Sequence, residues 1–113
     1  MELSEAKIEE LKRTYPEGIF ESEIRFDCEN EIQHTVEFVY RKPTTADLEA
    51  HGAQATKNPI VANLNLLASL IIYPDPGPII EKIREYPVAY GRFVDECIVP
   101  FYGANVQTKR KKL

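Results

Sequence analysis

Two runs of alternating side chains constrain this chain more than anything else in it. Phe20, Ser22, Ile24, Phe26 and Cys28 alternate with Glu21, Glu23, Arg25 and Asp27; Ile32, His34, Val36, Phe38 and Tyr40 alternate with Gln33, Thr35, Glu37 and Arg41. A period of two is the signature of a strand with one buried and one wet face. Two such runs flanking Glu29-Asn30-Glu31 read as an antiparallel hairpin. A one-residue slip would turn every side chain over, so the apolar sets share a face only if the loop has an odd number of residues. A three-residue loop at 29–31 meets that condition. It pairs 28 with 32, 26 with 34, 24 with 36, 22 with 38 and 20 with 40. A lone two-stranded hairpin is marginal in water. This one must lie on helices or pair with another chain's edge, which keeps a homo-oligomer open.

The rest of the chain supplies the helices. Ile8, Leu11 and Tyr15 share one face of a short amphipathic helix over residues 1–15, with Ser4 as its N-cap. Pro43 ends the second strand, and Thr44 or Thr45 caps a helix with Asp47 in its first turn. Asn58-Pro59 is a cap followed by proline at the first helical position. It opens a helix whose apolar residues, from Ile60 to Ile72, cover most of its circumference. A helix of that kind belongs in a core or an interface. Asp75 caps the next, with Ile79, Ile80 and Ile83 on one side; Pro87 breaks it. Val88–Val99 resumes with Tyr90, Phe93, Val94, Cys97 and Ile98 on one side, and Pro100 and Gly103 close it. The expected fold is therefore α+β: an antiparallel β-hairpin (19–41) packed on a small bundle of short, proline-punctuated helices (44–103). A single domain spans 1–108, as the length of 113 residues favours, and 109–113 form a basic tail.

Candidate chemistry is sparse. His34 lies on the apolar face of a strand and reads as a packed structural residue. His51 follows Asp47 by four on a helix and reads as a solvated face or C-cap interaction. Two ligands do not make a zinc site, which takes three or four. Cys28 and Cys97 fall on inward faces, where a thiol behaves as a small hydrophobe. Glu21, Glu23, Asp27 and Glu37 form a carboxylate stripe that keeps a sheet face soluble. The five glycines are dispersed, with no phosphate-cradling loop. No catalytic residue, cofactor or metal is expected. The formal charge of −4 argues against nucleic acid as partner, and the basic run Lys109–Lys112 has no aromatic interleaving. The longest apolar stretch, Ile60–Tyr73, is too short for the roughly 20 residues that span a bilayer. The opening Met-Glu-Leu-Ser-Glu has no basic or apolar signal region, so a reducing, cytoplasmic setting is expected.

The segment Val36–Asp47 contains Phe38, Tyr40, Pro43, Thr44 and Asp47 in the order Phe-x-Tyr-x-x-Pro-Thr-x-x-Asp. It resembles the extended segment that leads into the helical part of bacteriophage and prophage tail assembly chaperones. The helix with Ala62, Leu64, Leu67 and Leu70, the Pro74-Asp75 loop, and the last stretch with Tyr86, Pro87, Phe93, Ile98 and Gly103 extend the likeness over about residues 36–103. The resemblance implies a non-enzymatic cytoplasmic scaffold in the bacterial host. Its partner would be the tape measure protein, coated during tail morphogenesis. On that reading an apolar groove formed by Ile79, Ile80, Ile83, Tyr90 and Phe93 would bind the partner. Two other readings stand beside it: a small bacterial adaptor or regulatory interaction module, and a small enzyme.

Overall fold

A computed structural model describes residues 3–27 and 33–105, the side chains of 103–105 excepted. The loop at 29–31, Cys28 and the basic tail lie outside the described residues. The elements run α1 (Glu5–Thr14), β1 (Ile19–Asp27), β2 (Gln33–Arg41), α2 (Thr45–Ala55), α3 (Pro59–Leu70), β3 (Ile71–Tyr73), α4 (Pro76–Glu85), α5 (Pro87–Cys97) and α6 (Val99–Asn105). The class is α+β, with the hairpin packed on short helices as the alternation and the prolines require.

The register of β1 and β2 follows the parity argument: Phe26 pairs with His34, Ile24 with Val36, Ser22 with Phe38 and Phe20 with Tyr40. Ile24, Phe26, Val36 and Phe38 are buried, while Glu21, Glu23 and Glu37 are exposed. His34 is half-buried, stacked on Phe26 at 5.3 Å between centroids and set against Tyr86.

The hairpin carries a third strand, in the order β1-β2-β3. This corrects the helix expected to run to Ile72. α3 ends at Leu70, and Ile71 is already extended at φ −73°, ψ 116°. The reason is local. Ile71, Ile72 and Tyr73 are β-branched or aromatic. Tyr73 also precedes Pro74, whose ring crowds the helical region of its neighbour. The freed backbone pairs antiparallel with β2, Val39 opposite Tyr73 and Tyr40 opposite Ile71.

Helix starts follow side-chain chemistry. The oxygens of Ser4, Thr44, Asn58 and Asp75 each accept a bond from the first turn of α1, α2, α3 and α4. Pro59, Pro76 and Pro87 sit where a helix has no use for a donor. Pro100 does the same for α6, which corrects the expectation that it closes the preceding helix. α5 stops at Cys97, and Pro100 lies in the first turn of a further segment.

One core joins the inner sheet face to α3, α4, α5 and the start of α6. Phe38, Leu67, Leu70, Phe93 and Cys97 are wholly enclosed in it. Leu11 and Val39 are buried outside that cluster. α2 buries no side chain completely. Its attachment is largely polar. Among the described residues, no helix is long and apolar enough to cross a membrane.

Candidate functional site

Among the described residues, two of the places where polar side chains from separate elements meet hold α2. The first is the joint between β2 and α2. Arg41, the last residue of β2, donates to Asp47 through both terminal guanidinium nitrogens, at 2.6 and 3.3 Å. The same carboxylate accepts from the Thr44 backbone N–H at 2.8 Å and from its hydroxyl at 2.9 Å. The Thr44 oxygen accepts from the Asp47 N–H at 3.1 Å. This is a reciprocal capping box with an arginine clamped to it. Pro43 is buried between strand and helix, and Phe38 and Tyr40 point into the core. In the Phe38–Asp47 pattern, then, Phe38 and Tyr40 anchor the strand in the core, and Thr44 and Asp47 open the helix. Beside the joint lies an open cleft of about 410 Å³, lined by Tyr15, Gly18, Arg41, Lys42, Thr44 and Asp47.

The bond from Arg41, with those from Thr44, draws the Asp47 carboxyl from its ordinary 3.8 down to about 2. A carboxylate so held cannot exchange a proton near neutrality, so it is unsuited to acid–base catalysis. It is suited to holding a joint. A depressed folded value means that its stabilisation is complete above pH 3.8 and disappears as pH falls through about 2. Asp47→Asn should therefore lower stability by about 1 kcal/mol at pH 7, a magnitude that allows for solvent screening of the pair. The difference from the parent should shrink between pH 4 and pH 2. Urea melts across that range check it. A constant difference would mean that the side chain acts through shape alone.

The second place is a polar network tying four helices. His51 of α2 has Nε2 2.6 Å from Asn63 Oδ1 of α3, and Nδ1 2.5 Å from the Tyr102 hydroxyl of α6. Asn63 Nδ2 donates to the Tyr90 hydroxyl of α5 at 2.7 Å. The Tyr102 hydroxyl also lies 3.2 Å from the Leu48 carbonyl of α2, to which it can donate. This corrects the expectation for His51: it is half-buried and bonded at both ring nitrogens, not solvated. The cause is that α2 has only a thin apolar stripe, with Leu48 and Ala55 half-buried and no side chain fully so, and polar bonds add to its hold. Gln54 adds another, accepting from Asn65 of α3 at 3.2 Å.

Burial pushes the Tyr102 hydroxyl up, and pushes the Cys97 thiol up strongly, with Glu96 adding to the shift at Cys97. Both stay protonated, so Cys97 is no thiolate nucleophile where it sits. Among the described residues, no three His, Cys, Asp or Glu side chains converge as metal ligands.

The five residues expected to form a partner groove are placed differently. Ile79, Ile80, Ile83 and Phe93 are buried in the core, and Tyr90 is half-buried in the polar network. This corrects the groove: the apolar faces of α4 and α5 close on α3 and the sheet. Among the described residues, the large apolar side chains that do face solvent are Phe20, Ile60, Val61, Val88 and Val99.

The fold thus defines a class: a small α+β domain with a three-stranded antiparallel sheet backed by short capped helices. No protein-family model matches the chain, and no curated protein matches it. Among solved structures it is similar to an uncharacterised protein, rbstp2171, from Bacillus stearothermophilus. That match has a TM-score of 0.59 and 21% identity, and covers 92% of this chain and 99% of the other. At that identity the likeness is one of fold.

Proposed function

We propose that this chain is a non-enzymatic assembly chaperone of the phage-tail type, working in the bacterial cytoplasm and binding a tape measure protein. The observation that carries the reading is the Phe38–Asp47 segment. Its likeness to the tail chaperones includes Thr44 and Asp47, which in this chain open α2 and tie it to the end of β2. The contact surface is the exposed apolar set, with Ile60 at 58% and Val61 at 41% exposure on the first turn of α3. Scattered exposed apolar residues are ordinary, but two neighbours beside a rigid Asn-Pro cap present a fixed face.

The test is co-expression with the tape measure protein of the same phage or prophage. The tape protein should stay soluble, co-purify, and remain bound at 1 M salt, because an apolar contact is not screened. Ile60→Lys with Val61→Lys should abolish co-purification without changing the melting temperature. Aggregation of the tape protein in both cases, or separation at moderate salt, would favour the adaptor reading instead.

A further inference from the structure

Among the described residues β1 is an edge strand: β2 pairs on one side of it, and no strand pairs on the other. The Lys42 N–H donates to the Gly18 carbonyl at 3.0 Å, on the register that continues through Phe20–Tyr40. Even-numbered residues of β1 therefore turn their backbone groups toward β2, and Ile19, Glu21, Glu23, Arg25 and Asp27 turn theirs outward. The odd residues of β2 agree, since Val39 faces β3. Among the described residues, no backbone group pairs with that outward row. The strand is nine residues long, without proline or bulge.

An unprotected edge of that length is a template for another strand. Its side chains say which. Glu21, Glu23 and Asp27 line the outer side, with Arg25 already paired to Glu23. On the inner side a cleft of about 250 Å³ opens beside Ile24, bounded by Arg92, Asp95 and Glu96. The edge thus presents five carboxylates against two guanidinium groups. Phe20, 39% exposed, offers an apolar contact on the same inner side. A second copy would set acidic rows against each other, which is repulsive across a ladder.

We infer that the β1 edge binds an extended segment of a partner protein as a fourth, antiparallel strand, with Lys or Arg at alternate positions facing Glu21, Glu23 and Asp27. The inference is independent of the tail-assembly reading. It concerns a different surface, and any protein with such a segment would serve.

In an antiparallel pair the residues that bond to the outward row carry their side chains on the same face as that row. The basic residues of the partner therefore contribute the bonding amides. This gives a test at constant charge. The probe is a dye-labelled nine-residue peptide alternating Lys with Val and Thr, its binding read by fluorescence anisotropy. Methylation of the Lys amides should weaken binding by about tenfold or more, the equivalent of losing one or two net hydrogen bonds. Methylation of the Val and Thr amides, which face away, should leave it within about threefold. Glu23→Pro removes an outward N–H and leaves the β1–β2 ladder intact, and should weaken binding to the same degree. Should that variant not fold, Glu21→Lys must weaken it instead. Equal affinity of the two methylated isomers would overturn the inference in favour of charge attraction alone. So would no binding at millimolar peptide. A mass of two chains by light scattering, reduced to one by Glu23→Pro, would likewise overturn it by showing a second copy on the edge.

Discussion

Phe93→Ala should destabilise this protein more than any other single truncation, by about 3–5 kcal/mol. Phe93 is wholly enclosed and stacks on Phe38, also wholly enclosed, at 4.9 Å between centroids. The pair is where α5 meets the sheet. Removing one ring leaves a cavity bounded by Phe38 from a strand and by core side chains from neighbouring helices, which cannot all collapse at once. The lost ring contact adds about 0.5–1.5 kcal/mol to the area term. Urea unfolding followed by circular dichroism measures it. Phe93→Leu, which keeps most of the volume, should recover more than half of the loss. A change below 1 kcal/mol for Phe93→Ala would mean that the α5–sheet contact is not formed.

Leu67→Ala comes next, at about 2–5 kcal/mol. Leu67 and Leu70 are both fully enclosed, in the second half of α3. Exposure decides between two roles that α3 could have had. A core leucine moves the melting curve and leaves self-association alone; a leucine lining an assembly surface does the reverse. With no exposed surface, Leu67 should move the melting temperature by several degrees, while the mass in light scattering stays fixed. The contrasting residue on the same helix is Ile60, which is mostly exposed and should do neither.

Much of this architecture was legible in the residues. The hairpin register was, because alternation with one greasy face admits a single parity. The starts of α1, α3 and α4 were, because Ser4, Asn58-Pro59 and Asp75 can hardly do anything else there. β3 was not: three residues are too few to display a period, and Ile71–Tyr73 also continues the apolar arc of α3. The groove assigned to Ile79, Ile80, Ile83 and Phe93 shows a different limit. An apolar helix face must be covered, but periodicity says nothing of whether the cover is the same chain or another. Here the same chain supplies it. The network around His51 was illegible for a third reason. Its members stand at 51, 63, 90 and 102, on four helices, with no shared spacing. The one available signal was Asn63, a polar residue inside an otherwise apolar arc, which needs partners if buried.

That network has a consequence for how α6 is held. Tyr102 has one hydrogen and two neighbours that can take it, His51 Nδ1 and the Leu48 carbonyl. Asn63 is oriented by its donation to Tyr90, so its oxygen takes a hydrogen from His51 Nε2. The clasp between the second helix and the last thus passes through a single oxygen, which meets α2 at two points one turn apart, His51 and the Leu48 carbonyl. Removing that one atom, as in Tyr102→Phe, would let go of both points together and leave the bond from His51 to Asn63 in place.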